Sequence, residues 1–388
     1  MTKKHPFRFV ALVVLLISTT FAQPAVPPAS QAKADRIDLY QALLDLTNPW
    51  TVMCVAAHPD DEDGTSLVVM RRKYGAHTVS LFSTFGEGGQ NAIGPELYEE
   101  LGAIRVRETR AASEIQGSEP HFLGLKDFGF SKSVDETFEK WGHDEALRRM
   151  VLEIRKLRPD VIITNHSVTS NDHGHHQATA RLVVEAFDAA ADATRFPEQL
   201  KEGVAPWQVQ RLFVRVRGNQ TLTDNPPIVT LDPNEQDPVR GVSFAEQALS
   251  ALQKHATQGP WPRTVAQLAA RFANQSDGRL PLIRYRLARE AKSAPALSKD
   301  PNTFLDSLKL SDEVAKRVEP PVIDGRPLTA FVDQREKILD VLLASIKSAR
   351  TFDSIQNAEA KRVERMSYLR NRAAAEAAGL QITISPVN

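Results

Sequence analysis

The chain has 388 residues and 43.0 kDa, with 42% hydrophobic and 25% charged residues, which excludes a disordered or fibrous polymer and allows one large core or two smaller ones. Forty-eight Lys and Arg balance forty-eight Asp and Glu, so no global field favours phosphate backbones, and no nucleic-acid partner is expected. The single cysteine, Cys54, can form neither an internal disulfide nor a thiolate zinc cluster, so any metal must be held by histidines and carboxylates.

From the N-terminus, Lys3, Lys4 and Arg8 precede an apolar run from Phe9 to Ala22, shorter than the roughly 20 residues of a membrane span. The run ends in Thr20-Phe21-Ala22, a small-x-small pattern. It reads as a secretory signal over residues 1–22 cleaved after Ala22, giving a secreted or periplasmic protein with no integral span; an uncleaved anchor is the alternative. A linker and N-terminal helix are expected over 23–48.

Trp50 to Ala57 is a continuous apolar run suited to a strand covered on both faces. Helical spacing follows over Glu62 to Tyr74, a strand over His77 to Ser83, and a helix over Leu97 to Gly117. His121 to Leu125 reads as a strand, Asp144 to Leu157 as a helix, Asp160 to Asn165 as a strand and Gln177 to Ala191 as a helix. A last strand, Gln210 to Arg217, is expected to close a domain spanning 49–259, with 260–388 mostly helical, including Ala330 to Ala349 and Ser354 to Ala378. Such alternation implies a doubly wound, mostly parallel Rossmann-like α/β sheet with ligands beyond the carboxyl ends of its strands.

Chemistry concentrates in Ala57-His58-Pro59-Asp60-Asp61-Glu62, directly after the first strand. His58 and Asp61 could face one ion across a Pro-bent turn, leaving Asp60 as a base. Capping of the next helix would explain the acids but not the histidine. A second cluster, Asn171-Asp172-His173-Gly174-His175-His176-Gln177, follows the strand Asp160 to Asn165. His173 and His176 can share a cleft, whereas His175 should face elsewhere; a histidine-rich surface turn is the alternative. Two clusters beyond the ends of parallel strands should meet in one crevice, which makes a metal hydrolase the sharp expectation.

Other features carry less. Gly86, Gly88 and Gly89 lack the third glycine of a nucleotide loop and more plausibly let backbone approach the cleft. His166 reads either as a hydrogen-bonded neighbour or as a ligand, and His255 with Gln258 either as a cap or as a reach into the site. Trp141, Trp207 and Trp261 read as core or rim packing. With no G-x-S-x-G and no H-E-x-x-H, serine hydrolases and thermolysin-type proteases are disfavoured.

Together these motifs resemble the PIG-L/LmbE-like deacetylase family. The resemblance rests on AHPDDE at Ala57 to Glu62 and H-x-x-H at His173 to His176. It is supported by Thr84 to Gly89, Arg105 to Glu108, Leu123 to Asp127 and Lys254 to Gly259 in family order. It implies a zinc-dependent N-deacetylase, another divalent metal being the alternative, with His58, Asp61 and His176 as metal ligands and Asp60 as general base. It implies His173 as an imidazolium supporting the oxyanion, Arg105 as a substrate contact, and Glu87 and Asp127 as cleft-lining residues. The implied substrate is a small molecule or glycan carrying an N-acetyl group, of the N-acetylglucosamine type. The alternatives are an amidase acting on a mycothiol-like or antibiotic conjugate, and a glycan-binding protein with a degenerate site. One departure stands out: the family often has Asp before the last His ligand, where this chain has His175, so a carboxylate partner from that position is missing and Asp172 is the substitute to consider.

Overall fold

The computed structural model describes residues 28–170, 172–217, 226–273, 277–349 and 359–380. The segment read as a signal peptide, with its cleavage point at Ala22, lies outside them, as does Asn171. No helix among the described residues is long and apolar enough to cross a membrane.

After helix α1 (Pro28–Asp45), strand β1 (Thr51–Ala56) is buried along its whole length, as a continuous apolar run requires when both sheet faces are covered. Helix α2 (Gly64–Arg72), β2 (His77–Thr84), α3 (Tyr98–Gln116) and β3 (Ser118–Leu125) complete the first half of the sheet. Next come α4 (Val134–Trp141), α5 (His143–Leu157), β4 (Val161–Thr164) and α6 (Gly174–Ala189). They are followed by α7 (Pro197–Lys201) and β5 (Arg211–Arg215). Pro120 is tolerated because β3 forms the sheet edge.

The sheet order is β3-β2-β1-β4-β5 for these parallel strands, so the chain winds outward from β1 in one direction and then returns to build the other. The switch point therefore falls between β1 and β4, where Val52 pairs with Val161. The loops leaving their carboxyl ends carry both motif clusters, which is where an open α/β sheet places its ligands.

Alternate residues of β1 feed the two cores. Met53 and Val55 pack with Leu147, Val151 and Leu182 beneath α5 and α6, and Val52 and Cys54 pack with Leu67 and Val68 of α2 on the other face. Cys54 is buried, and that burial pushes its thiol well above the usual range, so it serves as inert packing.

Two sequence expectations need correction here. Gln210 to Arg217 does not close the sheet, because two further strands extend it as β5-β7-β6: β6 (Ile228–Leu231) and β7 (Ile283–Glu290), the latter antiparallel to both neighbours. The boundary at residue 259 therefore cuts through the sheet. In β7 the inward residues Ile283 and Tyr285 are buried, but Arg284 and Arg286 alternate with them and, with Arg289 further along, disguise the period of two as a charged helical pattern.

The remaining helices are α8 (Phe244–Leu252), α9 (Val265–Ala273), α10 (Asp312–Val318), α11 (Arg335–Ala349) and α12 (Ala360–Ala377), with a small hairpin of β8 (Val322–Ile323) and β9 (Arg326–Pro327). The first and last described helices meet in a helical layer: Leu39 and Leu43 of α1 pack against Ile338 and Leu342 of α11 and Ala373 of α12.

A buried ion pair ties that layer to the sheet. Arg362 on α12 grips Asp160 in a two-pronged contact of 2.9 and 2.6 Å, while Asp160 also accepts the Thr51 amide at 2.8 Å. The partners are only 6% and 1% exposed, so removing one strands the other charge. Arg362→Ala is expected to lower unfolding free energy by about 3 to 5 kcal/mol, read from urea denaturation as a shifted midpoint at unchanged slope.

Candidate active site

The loop leaving β1 makes a tight turn in which the Asp61 amide donates to His58 O at 3.2 Å. The helix that follows is capped by Asp63, whose carboxylate accepts the Ser66 amide at 3.0 Å. Capping therefore uses Asp63 and leaves Asp60 and Asp61 free for other work. Asp61 Oδ2 accepts the His58 amide at 3.0 Å and lies 2.9 Å from His58 Nδ1 and 3.2 Å from His176 Nε2. Burial alone would raise this carboxyl, but His176 and His58 outweigh it and hold Asp61 well below the usual carboxylate range.

Asp60 is in the opposite state. Its φ of 88° is left-handed, a conformation that costs a non-glycine residue about 1 to 3 kcal/mol. The strain is held by Glu62, whose carboxylate accepts the Asp60 amide at 3.0 Å and the Gln116 side chain at 2.8 Å. Burial, then the charges of Asp61 and Glu62, push the Asp60 carboxyl well above the usual range. His255 is fully buried and reaches the site only through Glu62, at 3.4 Å, while Gln258 donates to Pro59 O at 2.5 Å. The His255–Gln258 segment therefore braces the first motif and supplies no ligand.

From the other side of the switch point, α6 begins at Gly174, three residues earlier than its hydrophobic pattern indicates. Only glycine fits there: a Cβ would stand 2.1 Å from both Ser131 Oγ and Ser133 O. This early start brings three histidines toward β1, because helical side chains tilt back toward the N-terminus. His173 and His176 meet at 4.2 Å between ring centroids, and His58 lies 5.2 Å from His173 and 5.3 Å from His176. His175, expected to face elsewhere, instead faces inward: it is fully buried with Nδ1 2.9 Å from His58 Nε2.

His166 accepts the Ala57 amide at 3.0 Å, its ring centroid lies 4.5 Å from that of His176, and its Nδ1 is buried without a hydrogen-bond partner. Burial pushes His166 down to about 3 and His173 down to about 4. Burial, with the nearby His176 and His58, thus favours the neutral form of the His173 imidazole.

The three remaining expected site residues differ in what they do. Arg105 lines the cleft but is 3% exposed, and its guanidinium binds the carbonyls of Gly86, Gly89 and Gln90 and the Thr257 hydroxyl. It thus holds the glycine loop with four of its five N–H donors while still lining the cleft. Glu87 does not line the cleft; its carboxylate accepts the amides of Phe85 and Asp127, joining the loops after β2 and β3. Asp127 does line it, accepting the Gly129 amide at 2.9 Å. A side chain at Gly88 would clash with Asp127 Oδ1 at 2.2 Å, so that glycine serves close approach.

Sequence reasoning missed Gln116 and Asn165. The latter, directly after β4 at the switch point, donates to Asp61 O at 2.8 Å and so fixes the ligand loop.

The cleft has a volume of about 600 Å³ and is walled by His58, Asp60, Asp61, His173, His176, Asp127 and Phe130. Potential ligand atoms of His58, His173 and His176 lie within 4.8 Å of one another, as do those of Asp61, His166 and His176 and those of His58, Asp127 and His175. Buried His173 Nδ1 and His166 Nδ1 have no hydrogen-bond partner. Neutral imidazole nitrogens and carboxylate oxygens are the donors a borderline divalent cation accepts, so the residues present fit such an ion.

The PIG-L (GlcNAc-PI de-N-acetylase) family model matches residues 53–187, which contain both motif loops. The chain is 30% identical over 269 residues to 1D-myo-inositol 2-acetamido-2-deoxy-alpha-D-glucopyranoside deacetylase of Segniliparus rotundus, covering 59% of this chain and 82% of that protein. It is 29% identical over 167 residues to mycothiol S-conjugate amidase of Streptomyces coelicolor, covering 39% of this chain and 57% of that one. Among solved structures, N,N'-diacetylchitobiose deacetylase from Pyrococcus horikoshii aligns with TM-score 0.46 and 19% identity, over 69% of this chain and 94% of that one.

If His58, Asp61 and His176 hold the cation and Asp60 stands outside its shell, the variants separate. His176→Ala and Asp61→Ala should weaken metal binding roughly 100-fold or more, beyond the effect of losing an outer-shell partner, whereas Asp60→Asn should keep near-stoichiometric metal. Elemental analysis after dialysis against a weak chelator decides; equal metal content in all three would refute the assignment.

Proposed function

The chain belongs to the PIG-L family, hydrolases acting on acetamide C–N bonds, and from that membership and the geometry of the cleft we propose that it is a zinc-dependent N-deacetylase of an N-acetylglucosamine-type conjugate. The observation that carries this reading is the split between adjacent carboxylates: Asp61 is held ionised between two histidines, and Asp60 is pushed up and left at the cleft wall. A divalent cation held by His58, Asp61 and His176 would supply Lewis acidity toward the acyl carbonyl and toward a water in its open position.

The chain's own residues provide the rest. Asp60 accepts a proton from the attacking water, its raised carboxyl bringing it closer to the working pH than an ordinary aspartate. His173, neutral and at the N-terminus of α6, is placed to donate a hydrogen bond to the tetrahedral oxyanion. Asp60 then returns its proton to the departing nitrogen, so acetic acid and the free amine leave, and the acid gives its remaining proton to the amine or to solvent to become acetate. Phe130, 72% exposed at the cleft wall with its ring centroid 5.5 Å from that of His173, offers an apolar face to the sugar.

The sugar assignment is supported by the relative that acts on 1D-myo-inositol 2-acetamido-2-deoxy-alpha-D-glucopyranoside. We also propose export, supported by Lys3, Lys4 and Arg8 ahead of the apolar run ending at Ala22.

Acetate release from a panel of N-acetylglucosamine conjugates is expected, abolished by chelator and restored by Zn²⁺. Asp60→Asn should lower kcat by about 10² to 10⁴-fold. Because the base must be deprotonated, kcat/KM of the wild type should fall as pH drops through an ionisation above the usual aspartate value of about 3.9, and this limb should disappear in the variant. Chelator-insensitive release would overturn the mechanism. Export is checked separately: the mature protein recovered outside the cytoplasm should begin at Gln23.

A further inference from the structure

His175 plays no part in the chemistry above, yet it is fully buried against the cluster. Both nitrogens of His58 are engaged, Nδ1 at 2.9 Å from Asp61 Oδ2 and Nε2 at 2.9 Å from His175 Nδ1. The far nitrogen of His175, Nε2, is buried without a hydrogen-bond partner. Around it the ring stacks on Trp141 at 5.0 Å and meets Phe128 edge-on at 4.4 Å. Leaving one such nitrogen unpaired costs about 1 to 3 kcal/mol, a cost that a phenyl ring in the same slot would avoid. The imidazole must therefore be wanted for its other nitrogen.

Proton bookkeeping gives the reason. Two imidazole nitrogens 2.9 Å apart share one proton, so one donates and the other accepts. If His58 offers the Nδ1 lone pair to a cation, its own proton must sit on Nε2, and His175 Nδ1 must accept it. The carboxylate of Asp127 cannot replace it, since its oxygens lie 4.0 Å from His58 Nε2 and 3.7 Å from His175 Nδ1, beyond hydrogen-bonding distance.

We propose that His175 is a positioning residue that fixes the tautomer and ring orientation of the metal ligand His58 through a neutral imidazole-to-imidazole hydrogen bond. The inference rests on the reading that His58 holds the cation through Nδ1. A neutral acceptor orients the ligand as a carboxylate would, but adds no negative charge behind it, so the cation keeps more of its Lewis acidity.

Two measurements on the full chain test this. The first is Zn²⁺ affinity by competition with a chromophoric chelator for the wild type, His175→Phe, which fills the slot but cannot accept, and His175→Asn, whose amide oxygen can stand in for Nδ1. His175→Phe should weaken binding about 10- to 100-fold, and His175→Asn should recover most of that loss. The second is ¹⁵N imidazole NMR of the Zn²⁺-loaded wild type, which needs no variant to fold. It should show His58 and His175 both protonated on Nε2.

An unchanged affinity in His175→Phe, equal losses in both variants, or His175 protonated on Nδ1 would each overturn the inference while leaving the metal site intact. A wild type that binds no Zn²⁺ would overturn the underlying functional reading as well.

Discussion

One carboxylate oxygen organises this molecule's functional end. Asp61 Oδ2 gathers the backbone amide and ring of His58 from the loop after β1 and the ring of His176 from the start of α6. These residues are more than a hundred positions apart in the chain, and they meet because β1 and β4 are neighbours whose outgoing loops diverge at the switch point. Without that strand order the two motifs would each be a local curiosity, one a turn rich in acid and the other a turn rich in histidine.

Holding so many titratable groups together requires rigid surroundings, and the scaffold supplies them mostly through groups that hold loops rather than offer ligand atoms. Glu62 restrains the left-handed Asp60 and is itself held by Gln116 from α3. Asn165 fixes the Asp61 carbonyl from β4. Arg105 gathers three carbonyls of the glycine loop and, through Thr257, connects to Glu108 at 2.6 Å. Each of these side chains is hydrogen-bonded to backbone or to another such side chain, so the ligand loops are pinned by a connected polar network; a half-satisfied one would leave costly buried groups. The same logic explains why the segment around His255 matters although it lies nearly two hundred residues from the first motif.

Much of this was legible in the sequence, for reasons that differ by element. The continuous run at Trp50 to Ala57 specifies a doubly covered strand, and His58 after it has no structural use that capping could provide. Arg105 and Glu87 were also visible as polar residues near the cleft, but composition cannot tell a side chain that reaches a ligand from one that holds a loop; only the partners do. Strand β7 stayed hidden because its outward face carries arginines, so polarity and period disagree. The orientation of His175 was misjudged because it depends on where α6 begins, and that start is decided by the absent side chain of Gly174 packing against Ser131 and Ser133, a tertiary constraint no local pattern encodes.

The adjacent pair Asp60 and Asp61 carries the strongest physical argument for catalysis over passive binding. Here the positive φ at Asp60 turns the chain so that Asp61 faces two imidazoles while Asp60 lies half-buried beside Glu62 and Gln258, and the two carboxyls are driven in opposite directions. A site built only to hold a cation would gain from keeping both carboxylates ionised and pointed at it. Spending about 1 to 3 kcal/mol of backbone strain to hold one apart, with a raised proton affinity, is useful only if that group must pick up a proton and give it back.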